Sequence, residues 1–145
     1  MPYRPMTDAQ VRAFLTASPP RTGKLATVRA DGRPHVAPVW YDVDDDGTIV
    51  FNTGAGTVKG RNLARDPRAS LCVDDDRPPF SFVTVEGLVE LSDDLDAVRR
   101  LATRLGGRYM GVDRATAYGV RNGVPGELAA RLVPTRIVSA ADLAD

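Results

Sequence analysis

Two turn signals constrain this chain more than any other feature. Ala30-Asp31-Gly32-Arg33 and Asp44-Asp45-Asp46-Gly47 are tight hairpin signals set between runs of strand character: Lys24 to Val28, Pro34 to Val43 and Thr48 to Thr53. Strands joined by so few residues must pair antiparallel, because a parallel return needs a crossover of a dozen or more residues. The first sixty residues therefore read as an antiparallel meander.

The rest of the chain adds strands and helices to it. Thr7, with Gln10 three residues on, is a capping-box pattern that opens a helical arm over residues 7–17, apolar at Val11, Phe14 and Leu15 and stopped by Pro19 and Pro20. After a short helix, Ala69 to Asp74 and Phe80 to Leu91 are strands, the latter with Val83, Val85 and Gly87 on one face and Thr84, Glu86 and Leu88 on the other. Gly87 marks a bulge that lets so long a strand bend. A helix is expected from Leu95 to Leu105, apolar at Leu95, Val98, Leu101, Ala102 and Leu105. Residues 106–126 hold six glycines and only a weak helical patch around Arg114 to Tyr118; Glu127 to Ile137 is the last strand. With 145 residues, no repeats and no long linker, the chain reads as one domain: a small closed barrel of about six antiparallel strands with helices at its ends.

One connector has an unusual composition. "NTGAGTVKGRNLARDPRASLCV", Asn52 to Val73, gathers three glycines, a lysine and three arginines in a chain whose nineteen basic and nineteen acidic residues cancel. Lys24 and Lys59 are the only lysines, a skew toward arginine that points to GC-rich codon usage and a high-GC bacterium. Thr57 is a plausible N-cap for a helix ending before Asp66-Pro67, which puts Lys59, Arg61 and Asn62 in its first two turns. There the free N–H groups and the positive end of the helix dipole favour an anion. Gly54 and Gly56 allow close backbone approach, and Arg65 and Arg68 fall toward the helix end, where cations suit the dipole anyway. The same residues equally describe a solvated basic helix, and the glycine spacing fits neither a P-loop nor a dinucleotide fingerprint.

The run "GKLATVRADGRPHVAPVWYDVDDDGTIVFNTGAGTVKGRNLARDPRASLCVDD" followed by "FVTVEGLVEL" resembles the pyridoxamine 5'-phosphate oxidase-like superfamily of flavin-type split β-barrels. The resemblance is closest to its actinobacterial branch that uses the deazaflavin coenzyme F-420. It covers about Gly23 to Leu91; the remainder agrees in length and element order only. The resemblance implies a homodimer with a cofactor groove at the interface and the phosphate at the start of the helix after the third strand, among Thr57, Lys59, Arg61 and Asn62. Thr53 and the loop Gly54 to Gly56 would line the same pocket, and the ring would lie against Pro38, Val39 and Trp40. Trp40 reads as well as a core or dimer-contact aromatic. Tyr109, Tyr118 and Arg121 would shape the substrate side of the groove, or simply pack.

Two departures narrow the resemblance. The strand Thr48 to Thr53 lacks the basic residues that hold the FMN phosphate in pyridoxamine phosphate oxidases, which argues against vitamin B6 oxidation. The F-420 tail, a phosphodiester followed by glutamates, is more anionic than FMN and would suit Lys59 and Arg61 with Arg65 or Arg33 nearby. The expected activity is hydride transfer from reduced F-420 to an electron-poor small molecule, with FMN chemistry or non-catalytic flavin, deazaflavin or tetrapyrrole binding as alternatives. No side chain is assigned to catalysis.

Other classes find little support. A neutral chain has no overall field for nucleic acid or an anionic membrane. His35 is the sole histidine and reads as a strand residue, no metal-ligand spacing occurs, and the aspartate runs 44–46 and 74–76 read as solvated turns. The single Cys72 reads as a buried thiol in a reducing compartment, and no signal core or membrane-length apolar run is evident, so a cytoplasmic protein is expected.

Overall fold

The computed structural model describes residues 4–145. The Thr7 capping box forms in full: its hydroxyl accepts from the Gln10 N–H at 3.2 Å, and the Gln10 side chain accepts from the Thr7 N–H at 2.9 Å. The helix it opens, α1 (Asp8–Leu15), buries Val11 and Leu15. Strands β1 (Gly23–Val28) and β2 (Pro34–Val39) pair across the first turn, and β3 (Asp42–Val43) and β4 (Ile49–Gly54) across the second. Gly32 and Gly47 take φ of 88° and 87° there, a region open to glycine at no steric cost.

The expected strand Pro34 to Val43 is therefore two strands, which makes seven among the described residues instead of about six. The break at Trp40-Tyr41 has a cause: β2 pairs with β1 and β3 pairs with β4, at opposite ends of one sheet. The chain crosses between those ends. At the crossing, the Tyr41 N–H and carbonyl bond to side chains from a later helix instead of to a strand.

Helix α2 (Val58–Arg65) leads to β5 (Arg68–Asp75) and β6 (Ser81–Ser92), and the last of the strands described is β7 (Glu127–Ala140). All neighbours are antiparallel, in the order β2-β1-β5-β6-β7-β4-β3, so β7 enters between β6 and β4. The inner faces bury Leu25, Phe51, Leu71, Val73, Val83, Val85 and Leu132 essentially completely, each contributing about 1.5–3 kcal/mol. Helix α2 packs on β1, β2, β4 and β6, and the end strands β2 and β3 do not pair with each other, so the sheet is a half-barrel and not the closed one expected.

The expected bulge is present, with one refinement. The register steps from Glu86–Arg136 to Gly87–Pro134, so the extra residue, Thr135, belongs to β7. Pro134, with no N–H for the ladder, suits that irregularity. Gly87 is required opposite it, since a Cβ there would meet the Val133 carbonyl oxygen at 2.1 Å.

Helix α3 runs Leu95–Met110, well past the expected end at Leu105, and after a 3-10 turn α4 spans Ala115–Asn122. Glycine in a helix costs about 1 kcal/mol relative to alanine. Here it permits contact: a Cβ on Gly106 would fall 2.3 Å from the Tyr118 Cβ, and one on Gly119 would fall 2.0 Å from the Thr103 hydroxyl. The glycine-rich segment is thus largely a close helix pair.

Cys72 corrects another expectation. Leu71 and Val73 take the buried positions of β5, leaving Cys72 half-buried on the opposite face. The aspartate turns are also less solvated than expected. Arg104 bonds Asp42 at 2.9 Å and Asp44 at 2.6 Å, Arg131 bonds Asp44 at 2.6 Å, and Arg21 bonds Asp75 at 3.2 Å. No helix among the described residues is long and apolar enough to cross a membrane.

Candidate functional site

Thr57 caps α2 as the sequence predicts. Its hydroxyl donates to the Gly54 carbonyl at 2.7 Å and accepts from the Gly60 N–H at 3.1 Å. The N–H groups of Val58 and Lys59 precede the first possible intrahelical bond and point out of the helix end. Gly60 holds strand and helix together at this point. A Cβ on it would sit 2.0 Å from the Gly54 carbonyl oxygen, so only glycine lets the first turn rest on the end of β4.

A cavity of about 230 Å3 opens beside this turn, between the β2–β4 side of the barrel and the helix pair. Lys59 lines it together with Pro38, Val39 and Trp40, so the structure brings four of the nine expected positions to one wall. Lys24 pairs with Asp74 at 2.8 Å, whereas Lys59 takes part in no ion pair among the described residues.

The other five positions divide. Gly54 and Thr57 shape the strand-to-helix turn. Thr53 is buried, with its hydroxyl 3.3 Å from that of Thr57, and so supports the cap from behind. Arg61 folds back to donate to the Gly56 carbonyl at 2.9 Å, leaving an exposed guanidinium near the helix start. Asn62 is placed elsewhere: only 4 % exposed, it donates its amide to the Thr27 hydroxyl at 3.0 Å and pins α2 to β1. Arg65 bonds the Val28 carbonyl and Asn62, and Arg68 bonds Asp66, both as expected of structural residues.

Five cavity residues went unforeseen: Asn52, Ala102, Leu105, Asn122 and Glu127. Glu127 pairs with Gly54 across β4 and β7, and its carboxylate would lie 3.4 Å from a Cβ on that glycine. Nothing local in "NGVPGEL" announces this, since the contact depends on a strand pairing across more than seventy residues. Ala102 and Leu105 lie on the apolar helix face that the sequence predicts, and that face also lines the cavity.

The aromatic residues complete the wall. Trp40 stacks on Tyr109 with ring centroids 5.1 Å apart and 4° between planes, and Tyr118 meets it edge-on at 5.8 Å. The Arg121 guanidinium lies 5.6 Å over the Tyr118 ring. Tyr41 is fully buried behind them and donates its hydroxyl to the Leu15 carbonyl at 2.6 Å; burial pushes its pKa up to about 12. His35 lies on β2 opposite Thr27, outside the cavity, with a buried Nδ1 that has no partner among the described residues.

The family model described as pyridoxamine 5'-phosphate oxidase matches residues 7–137. The chain belongs to this family. A conserved hypothetical protein of Mycobacterium tuberculosis is similar in structure, with a TM-score of 0.79 and 32% identity over 93% of this chain and 84% of that one. A solved F-420 reductase gives a TM-score of 0.66 and 28% identity over 87% of this chain and 94% of its own. Among curated proteins, a 5a,11a-dehydrotetracycline/5a,11a-dehydrooxytetracycline reductase of Streptomyces rimosus is 39% identical over 56 residues, 37% of this chain and 39% of that protein. A pyridoxine/pyridoxamine 5'-phosphate oxidase of Burkholderia multivorans is 37% identical over 95 residues, 63% of this chain and 42% of the enzyme. The chain thus spans only about two fifths of the length of these two relatives. The family match extends the resemblance of the first part of the sequence to residues 7–137, and the split barrel and its oxidoreductase-type relatives agree with it.

Proposed function

We propose that this protein binds F-420 and catalyses hydride transfer from the reduced cofactor to an electron-poor organic acceptor. The observation that carries the proposal is Lys59, a cation without an ion-pair partner among the described residues, set at a helix N-terminus in a cavity walled by Pro38 and Trp40. An ammonium so placed, next to the Val58 and Lys59 N–H groups, suits a phosphate. Pro38 presents no N–H, and Trp40 presents a flat face, which suits a conjugated ring. The likeness to an F-420 reductase favours the deazaflavin, as does β4, which carries no basic residue for an FMN phosphate.

The cofactor would supply the hydride when bound. The chain would hold the phosphate at Lys59, orient the ring against Pro38 to Trp40, and keep water out with Ala102 and Leu105. The phenols of Tyr41 and Tyr109 both donate to backbone carbonyls, so neither proton is free for an acceptor. Small-molecule sites usually enclose about 300–1,000 Å3. The 230 Å3 cavity falls below that range, which supports a groove completed by a second copy of the chain.

Titration with F-420 and, separately, with FMN, followed by cofactor fluorescence, tests this reading. A charge-assisted hydrogen bond is worth about 1.5–3 kcal/mol, so Lys59→Ala is expected to weaken F-420 binding by about 10- to 100-fold without lowering thermal stability. Binding of FMN alone would overturn the cofactor assignment, and wild-type affinity in Lys59→Ala would overturn the site. Sedimentation at micromolar concentration checks the dimer.

A further inference from the structure

Tyr109 does two things at once. Its ring stacks on the Trp40 indole, and its hydroxyl donates to the Arg21 carbonyl at 2.7 Å while accepting from the Tyr41 N–H at 3.3 Å. Tyr41 follows Trp40 in the chain, so one side chain holds the indole by its face and the adjoining backbone by its oxygen. Arg108 reinforces the grip, donating to the Tyr41 carbonyl at 2.6 Å and to the Leu15 carbonyl at 2.8 Å. The segment from β2 to β3 has no strand partner at this point, so these contacts stand in for a ladder.

The arrangement leaves the Tyr109 phenol no role as a proton donor. Its proton is spent on a carbonyl, and burial raises its pKa above the ordinary value. Tyr118 also closes on Trp40, edge-on, an approach that Gly106 permits by having no Cβ. The indole is therefore held by two tyrosines while still lining the cavity.

We infer that Tyr109 is a positioning residue that fixes Trp40 as a rigid flat wall, and that through this wall the cavity selects planar conjugated rings. The ring actually selected rests on the proposed F-420 reading; the fixing of Trp40 does not.

Trp40 is the only tryptophan, so its fluorescence reports on the wall directly. Tyr109→Phe keeps the stacked face and removes both hydrogen bonds, while Tyr109→Leu removes the face as well. Acrylamide quenching of Trp40 is expected to rise in Tyr109→Phe and further in Tyr109→Leu. F-420 affinity should fall by about three- to tenfold in Tyr109→Phe, the effect of losing ordinary hydrogen bonds. The affinity for inorganic pyrophosphate, measured by its competition with F-420, should stay within about twofold of wild type, because Lys59 remains in place.

Unchanged quenching together with unchanged F-420 affinity in Tyr109→Phe would overturn the inference. So would an equal loss of F-420 and pyrophosphate binding, the mark of general loosening. If wild-type protein binds neither F-420 nor FMN, the proposed function falls; the quenching comparison in the ligand-free protein still decides whether Tyr109 fixes Trp40.

Discussion

Replacing Gly60 by alanine sets two physical effects against each other. Within a helix, alanine is favoured over glycine by about 0.8–1.0 kcal/mol, so propensity alone predicts a more stable protein. The added Cβ would lie 2.0 Å from the Gly54 carbonyl oxygen and 3.0 Å from its carbon, so the contact must open by about 1 Å. Both sides of the contact are backbone, and no side-chain rotation relieves it. Overpacking of this kind costs about 1–3 kcal/mol. With the contact at the upper end of that range, the net result is destabilisation by about 2 kcal/mol, or roughly 4–8 °C in Tm for a chain of this size. Gly56 supplies the control: a Cβ there meets nothing within 4 Å, and Gly56→Ala should be neutral or slightly stabilising. Guanidinium unfolding of the three proteins at one concentration, with equal m-values, measures the difference. Gly60→Ala should also weaken F-420 binding, because the first turn of α2 moves away from β4. If Gly60→Ala is as stable as wild type, the close approach of α2 to β4 is not what requires glycine, and the reasoning fails.

Asn62→Ala leaves the Thr27 hydroxyl buried without its partner, and should cost about 1–3 kcal/mol in chemical denaturation while F-420 affinity changes less than twofold. An affinity loss as large as that of Lys59→Ala would instead return Asn62 to the binding site. Burial raises the pKa of Asp44, but hydrogen bonds from Arg104 and Arg131 outweigh it and hold the group below its ordinary 3.8. Its contribution is thus complete above the unfolded carboxylate range and is lost as pH falls through the folded pKa. Between about pH 5 and 2, Asp44→Asn should flatten the acid limb of a stability–pH curve; an unchanged slope would refute the ion cluster's role.

The barrel was legible because its signals are local. Hairpin glycines at 32 and 47, the Thr7 box, the Thr57 cap and the period-two burial of β6 all work within a few residues, and each forms as the sequence indicates. The bulge at Gly87 was legible for the same reason, although the sequence could not say which strand carried the extra residue. The break at Trp40 was hidden, since Val39, Trp40 and Tyr41 all favour strand; side chains some seventy residues away, Arg108 and Tyr109, satisfy the backbone there. The segment 106–126 misled for a different reason. Glycine is usually a helix breaker by propensity, and in α3 and α4 tertiary contact overrides that preference. At the site, Lys59 and the Pro38-Val39-Trp40 wall were accessible to sequence reasoning, whereas Asn122 and Glu127 depend on where β7 and α4 come to rest.

The place of β7 bears on how the chain is made. Of the seven strands described, this one is synthesised last, yet it is the one that joins β6 to β4. Until residues 127–140 emerge, the nascent chain holds two separate ribbons, β2-β1-β5-β6 and β4-β3, whose facing edges have no partner. Unpaired edges of this kind invite association with other chains, and closing them requires contacts far apart in sequence, which form slowly. A ribosome-bound chain ending before Glu127 should therefore be held by chaperones or aggregate, and yield in an expression host should depend strongly on substitutions in β7.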